Sequence, residues 1–133
     1  MELRIQINRV EEVSAALTTI EAYSHGLQIS RRSLHHLLLI ADEFLSNLFN
    51  HAQQSLDIQV EIQLTRIANH WRLEIEDNTW AFDFTTIPIV FSTSEIERRK
   101  VGGLGIPLIR SLVDNVSYQR VQDKNRTIFL IAQ

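Results

Sequence analysis

A chain of 133 residues, 44% hydrophobic and 22% charged, is long enough to bury one core without disulfide or metal staples, and ordinary for a globular protein. It contains no Cys, which excludes disulfides and thiolate metal sites. The net charge of −3 is spread over interleaved acids and bases, so the broad basic surface with aromatics that a nucleic-acid groove needs is missing. The densest basic run, Arg98-Arg99-Lys100, reads by itself as a solvated helix end. The apolar run Leu37–Ala41 is far short of a membrane span, and Met1–Ile7 lacks the apolar block of a signal peptide. The expectation is a single cytoplasmic domain, residues 1–133, with no membrane contact.

In chain order, Leu3, Ile5 and Ile7 alternate with polar residues, the period of a half-buried strand. Asn8 is placed to cap a helix, with Glu11 three residues on, and Val10, Val13, Leu17 and Ile20 recur at helical spacing up to Gly26. Ser30 is a second cap. It opens a long helix with Leu34, Leu37, Ala41, Phe44, Leu45 and Leu48 on one stripe. Ile58, Val60, Ile62 and Leu64 alternate, as do Trp71, Leu73 and Ile75, with a hairpin turn around Ala68-Asn69-His70. An irregular stretch from about 78 to 103 holds Pro88 and a short helical piece near 94–100. Gly105 to Asp114 reads as a helix with Ile106, Ile109, Leu112 and Val113 inward. Strands Val116–Val121 and Thr127–Ile131 close the chain around a turn at Asp123-Lys124-Asn125. The fold class expected is an α+β two-layer sandwich, with a mixed, mostly antiparallel sheet and the helices on one face.

Three places depart from pure packing. Glu43 and Asn47 are four apart on the long helix, with His51 a further turn on. An amide oxygen there suits a hydrated Mg²⁺, leaving the acid to deprotonate a nucleophile; a solvent-facing polar edge is the other reading. Asp77 falls on the apolar face set by Trp71, Leu73 and Ile75. A buried carboxylate needs donors, which a ligand amine supplies; an Asx-turn with Asn78 at the strand's end is the alternative. Ala81-Phe82-Asp83-Phe84 then places an acid between two aromatics, as a pocket wall or a core anchor. Finally, three of the four glycines fall in Gly102-Gly103-Leu104-Gly105-Ile106, with Pro107 in the first turn of the helix that follows. Exposed N–H groups at a helix start make a phosphate cradle. The run is neither a P-loop nor a dinucleotide fingerprint, since neither pattern's flanking features are present.

Taken in order, Glu43-x-x-x-Asn47, Asp77 after a strand, and Gly102 to Ile106 opening a helix resemble the Bergerat (GHKL) ATP-binding fold of DNA gyrase B, histidine kinases and large heat-shock chaperones. Glu43-Phe44-Leu45-Ser46-Asn47-Leu48-Phe49-Asn50-His51-Ala52, Ala81-Phe82-Asp83, the stretch Gly102 to Tyr118 and Asn125-Arg126-Thr127 are similar to segments of the anti-sigma-factor serine/threonine kinases, over essentially the whole chain. The resemblance implies ATP and Mg²⁺ as cofactors and Glu43 as general base. Asn47 would be the Mg²⁺ ligand and Asp77 the acceptor of the adenine amine, with Phe82 beside it. Gly102, Gly103, Leu104, Gly105 and Ile106 would wrap the phosphates. Residues 84–100 would form a lid, with Arg98, Arg99 or Lys100 neutralising the γ-phosphate. The implied partners are an anti-anti-sigma (STAS) protein as substrate and a sigma factor or other client, with a homodimer a recurrent state. The pattern departs from the family at Thr79, where Asp-x-Gly is usual. The alternative to a kinase is accordingly a partner-switching binding module with weak or lost nucleotide binding.

Overall fold

The computed structural model describes residues 2–51, 57–83, 85 and 105–133, without the side chains of 51 and 105–108. Strand β1 (Glu2–Ile7) leads through a 3-10 turn (Val10–Glu12) into α1 (Val13–Gly26) and α2 (Arg31–His51). The hairpin β2 (Val60–Ile67) and β3 (His70–Asp77) follows, then α3 (Gly105–Leu112) and the hairpin β4 (Asn115–Val121) and β5 (Lys124–Ala132). The five strands form one sheet in the order β1-β2-β3-β5-β4. All four pairings are antiparallel, so the α+β sandwich stands and the mixed character expected of the sheet is absent among the described residues.

Register fixes what each face carries. The row Leu3, Leu64, Leu73, Phe129, Val116 crosses all five strands on the inner face, and the next row is Ile5, Ile62, Ile75, Thr127, Tyr118. Against these rows α2 sets Leu37, Ile40, Ala41, Phe44 and Leu45, and α1 sets Ala16 and Ile20, all buried. Phe44 meets Phe129 edge to face at 5.1 Å between centroids, a geometry worth about 0.5–1.5 kcal/mol beyond area burial. Trp71 is fully buried, with its indole N–H donating to the Gln133 side chain. The opposite face carries cross-strand ion pairs, among them Arg4–Glu61 at 3.2 Å and Arg126–Glu76 at 3.1 Å.

Local signals behave as their chemistry dictates, with two corrections. Ser30 caps α2 by accepting from Ser33 N–H at 3.1 Å. At the first helix the reaching carboxylate is Glu12 rather than Glu11; it accepts from the N–H groups of Asn8 and Arg9. The last turn lies at Gln122-Asp123, both at positive φ, so Lys124 and Asn125 belong to β5 and not to the turn. A left-handed pair of this kind usually takes Asn-Gly, and its absence hides the turn from a sequence reading.

Two tethers orient the helices. Ser33 Oγ donates to Ala132 O at 2.7 Å, while Phe44 packs on Phe129, so α2 runs antiparallel to β5. Its second half is thereby carried towards the start of β5. At the other end, Asp114 N–H donates to Leu130 O at 2.9 Å, and the Asp114 carboxylate accepts from Ala132 N–H. A cavity of about 280 Å³ there, lined by Arg32, Ser33, His36 and Asp114, sets the end of α3 beside the start of α2. Hence α3 also runs antiparallel to α2, and its N-terminus points towards α2's second half. Burial first, then the charges of Arg32 and neighbouring His35, hold His36 below the ordinary imidazole range, with Asp114 opposing them.

Candidate functional site

At the end of the sheet towards which both helix ends point, the inner face changes character. One row runs Ile7, Val60, Asp77, Asn125, Arg120 across β1, β2, β3, β5 and β4. Its first two members close the core. Asp77, Asn125 and nearby Thr79 are polar, yet only 3%, 2% and 7% exposed. Polar groups buried to this degree need partners, since an unpaired carboxylate there costs several kcal/mol (roughly).

Asp77 finds them on one oxygen. Its Oδ1 accepts from Thr79 N–H at 3.1 Å, Thr79 Oγ1 at 2.5 Å and Asn125 Nδ2 at 3.0 Å. Oδ2 accepts from none of the described residues and is not among the fully buried, unpartnered atoms. Both sequence readings therefore hold at once: the side chain is inward, and it also closes an Asx-turn onto Thr79. A cleft of about 440 Å³, lined among others by Ile7, Asn8, Val60, Glu76 and Lys124, opens on Asp77 from the β1–β2 side. Glu43 and Asn47 do not line that cleft.

Thr79 stands where a glycine was expected, but it is not among the residues with positive φ, so the backbone here makes no demand that only Gly meets. Its hydroxyl joins the network instead. Sequence reasoning missed Asn125, placed in a turn, and with it the roles of Tyr118 and Arg120. Asn125 Oδ1 accepts from Tyr118 OH at 2.5 Å, Arg120 at 3.1 Å and Phe82 N–H at 3.2 Å. Its Nδ2 also donates to Trp80 O at 2.7 Å. The segment after β3 is thus held against β5, with Trp80 and Phe82 58% and 46% exposed and neither of them lining the cleft on Asp77. The available signal was the register: Asn125 shares the inward parity of Thr127, Phe129 and Ile131.

On α2, Asn47 Nδ2 donates to the Glu43 carbonyl at 2.9 Å, leaving its Oδ1 buried with no partner among the described residues. An orphaned, neutral, hard oxygen of this kind is what a Mg²⁺ ion coordinates, so the residue present fits that ion. The half-buried Glu43 carboxylate has no hydrogen-bond partner among the described residues. Gly105 and Ile106 are the first residues of α3, whose opening N–H groups have no intrahelical acceptors and favour an anion. Gly102, Gly103 and Leu104, the basic Arg98, Arg99 and Lys100, and the segment assigned as a lid lie outside the described residues, Thr85 apart. The structure thus brings Asp77, Phe82 and Asn125 into direct contact through hydrogen bonds and turns Glu43, Asn47 and the start of α3 towards the same end of the molecule.

No helix among the described residues is long and apolar enough to cross a membrane. No curated protein matches the chain. Among solved structures, one that matches contains the RsbU and RsbW domains of Rv1364c from Mycobacterium tuberculosis, at a TM-score of 0.61 and 11% identity. The match covers 98% of this chain and 32% of that one, so this chain spans about a third of its length, and at that identity the likeness is one of fold. The family model of the histidine kinase-like ATPase domain matches residues 7–131, and the chain belongs to that family.

Proposed function

We propose that the chain binds Mg-ATP at the Asp77 end of the sheet and transfers the γ-phosphoryl group to a Ser or Thr hydroxyl of a small regulatory protein of the anti-anti-sigma (STAS) type. Phosphorylation of that partner governs whether the kinase holds it or a sigma factor or other client. The observation that carries the reading is the buried Asp77, whose hydrogen bonds from the chain all fall on Oδ1. Oδ2 is left to accept the exocyclic amine of adenine. A solved chain of the same fold that carries an RsbW domain is in keeping with the kinase reading.

In this mechanism Phe82 flanks the base. The N–H groups from Gly102 to Ile106 cradle the phosphates at the start of α3, and Arg98, Arg99 or Lys100 offsets γ-phosphate charge. Asn47 Oδ1 would hold Mg²⁺, which supplies neutralisation of phosphate charge when bound. Glu43 takes the proton of the incoming hydroxyl as its oxygen bonds to phosphorus and the bond to the ADP oxygen breaks. Binding and chemistry are separable. Glu43→Gln should keep the Mg-ATP affinity of the wild type, by calorimetry, and slow transfer of labelled phosphate to the co-purifying partner at least about hundredfold. Transfer at the wild-type rate removes Glu43 as base.

Thr79 favours a second reading, since its side chain fills space beside Asp77 that the usual glycine leaves open. In that reading the domain is a partner-switching module with weak or lost nucleotide binding. Millimolar Mg-ATP that leaves the melting temperature unmoved selects it over the kinase.

A further inference from the structure

Asn125 has more contacts in the site than a strand residue needs. Its Nδ2 faces acceptors, Asp77 Oδ1 and Trp80 O, at 3.0 and 2.7 Å. Its Oδ1 faces donors, from Tyr118, Arg120 and the Phe82 backbone. Turning the amide over would set N–H against two obligate donors, Arg120 and the Phe82 amide, and oxygen against a carboxylate, so a single orientation is fixed by its surroundings. Arg120 also donates to Thr79 O at 2.8 Å and so reaches both sides of the cluster. The result is a relay from β4 through Asn125 to the acid of β3.

The consequence falls on Asp77. With Asn125 and Thr79 holding Oδ1, the carboxylate cannot rotate freely, and the same oxygen stays turned to the ligand. The Trp80 carbonyl and Phe82 amide are held by the same side chain, as a strand rung would hold them, so the acceptor and the backbone of the segment after β3 keep one relative position. We propose that Asn125 is a positioning residue for nucleotide recognition: anchored by Tyr118 and Arg120, it orients Asp77 Oδ2 and fixes the Trp80–Phe82 backbone against β5. This rests on the reading of Asp77 as the acceptor of the adenine amine.

The test uses the whole chain, Mg-ATP as probe, calorimetric Kd values and melting curves for each free variant. Asn125→Ala should weaken Mg-ATP about tenfold to a hundredfold, the range for one hydrogen bond to a charged group. Tyr118→Phe removes only an anchor and should fall between that variant and the wild type. Asn125→Asp supplies a readout that altered packing would not move. It sets a second carboxyl against Asp77, with Tyr118 and Arg120 as the other titratable or charged groups in contact, and two such carboxyls raise the affinity of one for a proton. At about pH 8.5 the pair repels and affinity is low; near pH 6 a shared proton restores a donor to Asp77 Oδ1, and affinity should recover by up to about tenfold per pH unit relative to wild type. A wild-type affinity that is intact in Asn125→Ala, or an Asn125→Asp loss that is the same at both pH values in a folded protein, overturns the positioning role alone. Failure of the wild type to bind Mg-ATP at millimolar concentration overturns the nucleotide reading and this proposal with it.

Discussion

The network around Asp77 gives a paired substitution whose two members should part company. In Asp77→Ala, Thr79 N–H and one Asn125 N–H lose their acceptor in a nearly closed space, while the Thr79 hydroxyl can turn elsewhere. Two orphaned donors at about 1–3 kcal/mol each give a loss of roughly 2–6 kcal/mol. At about 4 °C per kcal/mol for a domain of this size, the melting temperature drops by roughly 8–24 °C. Asp77→Asn is different. Three donors surround the Oδ1 position, so the amide must place its oxygen there and its NH₂ at the Oδ2 position. The scaffold then loses only charge assistance, about 1–2 kcal/mol. The ligand amine, however, meets a donor instead of an acceptor, and Mg-ATP affinity should fall about hundredfold or more. Scanning fluorimetry with and without Mg-ATP reads both effects. Ligand at a hundredfold over its Kd adds about 2.7 kcal/mol to the wild type, a shift of roughly 10 °C that Asp77→Asn should not show. Equal shifts in wild type and Asp77→Asn would refute the acceptor assignment. Equal stabilities of the Ala and Asn variants would refute the hydrogen-bond account of the network.

Asn47→Ala removes a buried oxygen that has no partner among the described residues, so the free protein should melt within about 4 °C of wild type, while the gain in ATP affinity on adding Mg²⁺ should disappear. Calorimetry in Mg²⁺ and in EDTA checks this, and an intact Mg²⁺ dependence counts against the ligand role. Ser24→Ala should raise stability by about 1 kcal/mol, because the fully buried Ser24 hydroxyl in α1 has no hydrogen-bond partner among the described residues and Ala is the better helix former. A lower urea midpoint would sink that account. His36 is held below its ordinary value of 6.5, so on acidification the unfolded chain takes up its proton first. Its contribution to stability is present above that value and is lost as pH falls below it. His36→Asn should therefore narrow the difference between urea midpoints at about pH 7.5 and 5.5, and an unchanged difference would contradict the assignment.

The sheet was legible wherever burial on one face imposed strict alternation. Leu3 to Ile7, Val60 to Leu64 and Trp71 to Ile75 all fall on the inner face as their period requires. The same logic failed at Asn125 because this end of the sheet puts polar residues in inward positions, and those residues resemble a turn when met in sequence. Its neighbour turn compounded the error, since Gln122 and Asp123 adopt left-handed backbone without a glycine to announce it. Asp77 was identified by parity alone. Its partners were not, because Thr79 is local but Asn125 comes to it only through the β3–β5 pairing, which no spacing in the chain encodes. The orphaned oxygen of Asn47 likewise needed coordinates: a four-residue interval sets a face, not the absence of a partner.

The two indoles of this chain occupy opposite surroundings, and that makes the protein its own spectroscopic probe. Trp71, fully buried in the core, should emit in the blue and resist acrylamide, while the exposed Trp80 should emit in the red and be quenched readily. One emission band thus reports the integrity of the sandwich and the other the surroundings of the segment after Asp77, so the two can be followed in a single cuvette without any label.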